Sequence, residues 1–257
     1  MTVKDITFRH SSGQPDVLRG VSFEALPGRI HAILGPNGSG KTTLFKCLTG
    51  LWRPQRGEVF YNGQNLLAFS GPARARLIAV VPQEHEPPFP YSVEDMVLMG
   101  RAAHVDAFAV PSRRDYETAE ETMRVLGIDH LRDKAYTRIS GGERQLALVA
   151  RALAQQTPIL LLDEPTSHLD FRHQLQVLKK VRWIAREKNL TVLMTLHDPN
   201  LALLFADQVV ALNEGGIQAH GPADEVITEA MLARVYGVEV TVLDNNGIKV
   251  VSPRVEK

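Results

Sequence analysis

Apolar and polar positions along this 257-residue chain follow two periodicities. Short apolar runs bounded by glycine, proline or polar clusters predict strands at Val3–Phe8, Val21–Phe23, Ile30–Leu34, Glu58–Tyr61 and Leu77–Val81. A second block predicts strands at Pro158–Leu162, Thr191–Thr195 and Gln208–Leu212. Between the blocks, spacing of three and four residues takes over and predicts helices over Ser92–Arg101, Arg113–Leu126 and Gly142–Gln155. After Gly221-Pro222 come short helices, then Val238–Val251, where Asp244-Asn245-Asn246-Gly247 predicts the turn of a terminal hairpin. The expected organisation is an α/β domain over residues 1–237, with its core in 1–83 and 157–237. A helical subdomain is inserted at about 84–156, and 238–257 form a hairpin tail.

The third predicted strand ends in Gly35-Pro36-Asn37-Gly38-Ser39-Gly40-Lys41-Thr42, which opens into a helical pattern from Thr43. Glycines at 35, 38 and 40 let successive backbone N–H groups turn toward one point, a nest for phosphate oxygens. Lys41 can then reach the β- and γ-phosphates, and the Thr42 hydroxyl can ligate Mg²⁺. A lysine in the first turn of a helix is repelled by the dipole unless an anion lies there. Nucleotide binding is the expectation.

Ile159-Leu160-Leu161-Leu162 runs directly into Asp163-Glu164, reading as a strand buried on both faces with two carboxylates at its carboxyl end. Open α/β sheets place ligands at that edge. Neighbouring strand residues point to opposite sides, so the two acids take different tasks. Asp163 is the candidate Mg²⁺ ligand, and Glu164 the candidate that polarises an attacking water. His197 and Gln83 close two further apolar runs in the same way. His197 could hydrogen-bond a γ-phosphate, whereas Gln83 alone would carry no message.

Composition narrows the setting. Lysine plus arginine numbers 29 and aspartate plus glutamate 29, so no overall basic character recommends nucleic acid. The lone Cys47 reads as a small packed residue in a reducing compartment. The nine histidines show no zinc-like spacing with it. No apolar run reaches bilayer length and the N-terminus has no signal-peptide pattern, so service to a membrane would run through a partner.

Taken together these residues resemble the ATP-binding subunit of an ABC transporter, over nearly the whole chain. The most diagnostic segment is Ile139-Ser140-Gly141-Gly142-Glu143-Arg144-Gln145, similar to that family's signature motif. It sits at the amino end of an amphipathic helical pattern, so outward N–H donors are expected there too. The resemblance implies a P-loop NTPase core of the ABC ATPase type with an inserted α-helical subdomain. It also implies a homodimer that sandwiches two ATP molecules, each between the phosphate loop of one chain and Ser140, Gly141, Gly142 and Glu143 of the other. It makes Gln83 a Q-loop glutamine near Mg²⁺ or water, Ser167-His168-Leu169-Asp170 the D-loop, and His197 the switch histidine. The catalytic set is then Glu164, His197, Gln83 and Lys41, and the Mg²⁺ ligands Thr42, Gln83 and Asp163. Ile139 and Glu143 stand where leucine and glutamine are more usual, and His10 where a tyrosine usually stacks on adenine. An imidazole offers less stacking area and can carry charge.

Residues 88–101 resemble the corresponding stretch of subunits that power import of iron(III)-siderophores, haem, vitamin B12 and, in one branch, molybdate or tungstate. His220-Gly221-Pro222 and Leu232–Gly237 fit the same group. The resemblance implies polytopic permease subunits as separate chains, an indirect substrate-binding protein, and a place on the cytoplasmic membrane face. Tyr91, Met96 and Met99 are expected as exposed docking contacts. The nearest rival is an exporter or lipid-extracting ATPase. A DNA-repair ATPase needs coiled-coil arms, and a translation-associated one needs two cassettes. The basic positions of Arg172–Lys188 are those of a solvated helix face.

Overall fold

The computed structural model describes residues 1–83, 89–106 and 109–254, with backbone alone at Asn245. The chain opens with β1 (Thr2–Phe8), β2 (Leu18–Glu24), β3 (Ile30–Leu34), α1 (Lys41–Leu48), β4 (Arg56–Tyr61) and β5 (Gln64–Asn65). It continues with α2 (Gly71–Ala75), β6 (Ile78–Val81), α3 (Val93–Leu98), α4 (Arg113–Leu126), α5 (Gly141–Ala154), β7 (Ile159–Leu162) and α6 (Phe171–Glu187). The last third holds β8 (Thr191–Thr195), α7 (Pro199–Phe205), β9 (Gln208–Asn213), β10 (Gly216–Pro222), α8 (Ala223–Val226), α9 (Glu229–Tyr236), β11 (Val240–Asn245) and β12 (Ile248–Pro253). Two compact units result, one of residues 1–69 with 191–257, the other of 70–190.

In the first unit β3 lies between β8 and β9, parallel to both, with Ala32 opposite Met194 on one side and Val209 on the other. Every residue of β3 and β8 is buried, the physical reason both read as nearly unbroken apolar runs. β10 adds antiparallel to β9. No strand is expected there from the pattern, because Gly216–Pro222 is a half-exposed edge strand with no apolar run to bury. A second sheet, β2-β1-β4-β5, is antiparallel. The tail forms the hairpin β11–β12 with its turn at Asn246-Gly247. Asn200 of α7 fastens it: the Val251 N–H donates to Asn200 Oδ1 at 2.7 Å, and Asn200 Nδ2 donates to the Val251 carbonyl at 3.2 Å.

In the second unit β6 and β7 pair in parallel, Ile78 opposite Ile159 through Val81 opposite Leu162. Helix α5 packs on β6 and on α3, α4 and α6. The unit's borders therefore fall outside the helical stretch expected at 84–156. β6, β7 and α6 pack with the helices, which a chain-order reading cannot foresee. Helices α3 and α4 each start with a capping box, Ser92 with Asp95 and Ser112 with Asp115. The start at Ser92 sets the phase of α3, so that Val93, Met96 and Val97 share the buried face. This corrects the expectation for Met96, which is 0% exposed. Met99 and Phe89 are exposed and Tyr91 is half-buried. The Pro87-Pro88 entry lies outside the described residues.

Candidate functional site

In the first unit, β3 delivers the loop 35–40 and α1 begins at Lys41. Gly40 caps α1 with φ 104° and has no side chain to offer the first-turn N–H groups. A Cβ on Gly35 would lie 2.1 Å from the Leu212 carbonyl oxygen, and one on Gly40 2.9 Å from Leu18 Cδ2. Gly35 demands glycine on steric grounds alone, because the clash is with backbone, whereas at Gly40 the left-handed φ favours glycine. Lys41 is buried, and its ammonium donates to the carbonyls of Gly35 at 2.8 Å and Pro36 at 3.0 Å. Ser39 Oγ is buried with no hydrogen-bond partner. An ammonium drawn onto its own loop, an orphaned hydroxyl and an uncapped helix end are donors that fit a bound phosphate chain. Asn37, Gly38 and Thr42 are exposed and Thr43 is buried on α1. His197 is exposed two residues beyond β8, just before the Asp198 cap of α7.

In the second unit the β6–β7 ladder runs one bond past the strands, from the Asp163 N–H to the Val81 carbonyl. That register sets Gln83 beside Glu164. Gln83 Nε2 donates to Glu164 Oε2 at 2.6 Å, and Ser167 Oγ donates to the same oxygen at 2.8 Å. Glu164 holds φ 48°, a left-handed conformation costly for a residue with a side chain. A strained carboxylate that accepts two hydrogen bonds at a strand end is an oriented acceptor. Asp163 and Glu164 are half-buried.

At the start of α5, Ser140 Oγ accepts the Glu143 N–H, while the Ser140 hydroxyl and N–H both donate to Glu143 Oε2 at 2.7 and 2.8 Å. The Ser140 hydroxyl and N–H hold the Glu143 carboxyl below its usual range. Two of the donors expected to face outward are therefore spent inside the cap. Asp170 caps α6 and accepts the His173 N–H at 2.9 Å.

His10 is exposed and sits edge-on to Phe8 at 5.2 Å and to Trp52 at 5.0 Å, between ring centroids. Phe8 is buried and stacks on Trp52 at 5.3 Å with 7° between planes. Lys46 Nζ lies 4.2 Å from the Trp52 ring centroid. Trp52 carries no signal in the sequence because its place beside His10 depends on β1 pairing with β4, some fifty residues on. Among the described residues no group of three or more His, Cys, Asp or Glu side chains is arranged to hold a metal by itself. Among them, too, no helix is long and apolar enough to cross a membrane.

Comparison with known proteins agrees with this geometry. Residues 18–167 match the ABC transporter family, more than half of the chain. The chain is 36% identical to the ferric enterobactin transport ATP-binding protein FepC of Escherichia coli over 233 residues, 91% of this chain and 86% of that protein. It is 40% identical to the hemin import ATP-binding protein HmuV of Burkholderia lata over 258 aligned positions, 93% of each. Among solved structures, one described as a metal-chelate type ABC transporter in an inward-facing conformation superimposes with a TM-score of 0.85. It is 33% identical and covers 99% of this chain and 96% of that one. ATP-binding subunits of this kind hydrolyse ATP and act with membrane-embedded permease components. On these grounds the chain belongs to the ABC transporter family, as an ATP-binding, ATP-hydrolysing subunit.

Proposed function

We propose that this chain energises the import of a metal chelate, an iron(III)-siderophore or haem in class, as a homodimer at the cytoplasmic face of a membrane. Identity of 33–40% over more than nine tenths of the chain to three such systems supports the import reading. Residues 1–237 form the cassette and 238–257 an appended hairpin. Gly35 to Thr43 hold the phosphates, with Lys41 neutralising them. Thr42, Gln83 and Asp163 supply oxygens to Mg²⁺, which when bound draws charge from the phosphate oxygens. Glu164 orients and deprotonates the attacking water, Ser167 and Gln83 keep its carboxylate aimed, and His197 donates to the γ-phosphate. His10 borders the adenine. Ser140, Gly141 and Gly142 meet the nucleotide of the second copy, and Asp170 lies in the segment between the two chains. Exposed Phe89 and Met99, with half-buried Tyr91 beside them, receive the permease.

The observation that carries the hydrolytic part is the Glu164 carboxylate, held in a left-handed backbone by two donors. Glu164→Gln should lower turnover by roughly 10²–10⁴ with ATP binding retained, and should trap an ATP-bound dimer. Near-normal hydrolysis in that variant removes the assignment. Uptake assays with labelled iron(III)-siderophore and haem, in cells with and without this chain, test import. Export-only dependence would replace it.

A further inference from the structure

His173 lies on α6 three residues past Asp170, outside every motif assigned a role above. Its Nδ1 is 2.8 Å from Asp170 Oδ1, and a carboxylate only accepts, so the ring donates. The same ring fills the space against the start of α5. A Cβ on Gly142 would stand 2.3 Å from His173 Cδ2 and 2.6 Å from its Cγ. Leu169 makes the adjoining contact, its Cδ2 3.5 Å from where a Cβ of Gly141 would lie. Two consecutive glycines of one segment are thus seated on two side chains of the other. The absence of Cβ at 142 allows a closeness that packing then makes rigid.

The ring is not confined on every side. A cavity of about 220 Å³, lined by His130, Ser140, Gly142, Glu143, His173 and Gln176 among others, opens beside it. On that open side, the bond to Asp170 holds the imidazole in its place against Gly142. We propose that His173 is a positioning residue for the ATP reaction. It joins the turn Ser140–Glu143, which meets the nucleotide of a second copy, to Asp170 in the segment between the two chains, so that the two hold one mutual geometry. The inference rests on the reading of Ser140 to Gly142 as ligands of that nucleotide. Its leverage is steep, because a displacement near 1 Å at a reacting group costs about a hundredfold in rate.

A mutant cycle tests it. Gly142→Ala inserts a methyl where the ring lies, and His173→Ala removes the ring. The double variant returns the methyl to vacated space. Each single change should lower kcat about tenfold or more, with KM for ATP shifted less than about twofold. Gly142→Ala/His173→Ala should be several-fold more active than Gly142→Ala alone. His173→Asn, whose amide can still donate to Asp170, should retain more turnover than His173→Ala, and it keeps the test open if the alanine variant folds poorly. Ser140→Arg is run alongside. If Ser140→Arg protein still hydrolyses ATP and dimerises with it, the reading of the signature turn fails. If Ser140→Arg is dead while His173→Ala and His173→Asn turn over like wild type, that reading stands and His173 has no positioning role. Strict additivity in the cycle overturns the wedge in the same way.

Discussion

His31, second residue of β3, is 1% exposed. The Leu26 N–H donates to its Nε2 at 2.8 Å, so the ring is neutral with its proton on Nδ1, which has no partner. Burial first, and then the charge His220 would carry, lower its pKa from 6.5 to about 4. The unfolded chain therefore takes up a proton at higher pH than the folded one. Stability is intact above pH 6.5 and falls as pH drops toward 4, by about 3 kcal/mol at most from this group. Urea midpoints at pH 7 and pH 4.5 should show that loss. His31→Gln, which keeps an acceptor for Leu26, should flatten the slope, leaving a smaller one from His220, whose pKa is also lowered by burial. An unchanged slope in His31→Gln would exclude His31 as its source. Cys47 on α1 behaves oppositely: burial pushes its thiol up to about 12. Iodoacetamide at pH 8 should leave it unmodified in the native chain and react in denaturant. Modification of the native protein at the denatured rate would show that the helix opens.

Among the elements, the junction of α3, α4 and α5 depends on one buried cation. Arg101 Nε donates to Asp115 Oδ1 at 2.8 Å, and its Nη1 donates to the Ala154 carbonyl at 2.7 Å and to Gln156 Oε1 at 2.9 Å. Asp115 also accepts from the Ser112 hydroxyl and N–H. With Ser112 first and Arg101 next, its pKa lies at about 2. Arg101→Met leaves a buried carboxylate short of its cation and the end of α5 without its donor. It should cost about 3–5 kcal/mol in chemical unfolding, and a loss under 1 kcal/mol would show the pair to be dispensable. Met96 is the complementary case. Because it is fully buried, Met96→Glu places an unpaired charge in the core and should lower the melting temperature sharply. A soluble, stable Met96→Glu protein would contradict the packing of α3.

For the whole molecule, the proposed docking surface must be read from side chains that reach solvent. Phe89 is 61% and Met99 39% exposed, and the Phe89 ring meets Tyr91 edge-on at 5.9 Å. Phe89→Glu and Met99→Glu should abolish co-purification with a permease while the isolated protein keeps its ATPase activity and melting temperature. Normal assembly by both would move the docking surface elsewhere. The correction from Met96 to these residues shows where sequence reading stops. A proline-rich entry and a serine cap announce α3, yet which of its methionines faces inward depends on the helices packed against it.

What the sequence determined by itself is whatever chemistry lies within one turn of backbone. The loop 35–43, the turn 140–143 and the run 163–170 are contiguous, and their glycines, caps and spacing carry local conformational demands that no neighbour alters. The strands β3, β7 and β8 were legible for a related reason: a strand buried on both faces must be apolar along its length. Tertiary structure alone decided the rest. The bond from Gln83 to Glu164 needs the β6–β7 register, and the Phe8–His10–Trp52 cluster needs β1 beside β4. The seat of Gly142 on His173 needs α5 against α6. Each joins positions some thirty to eighty residues apart through a contact a few ångströms long, and such contacts leave no periodicity in the chain, because only packing selects them.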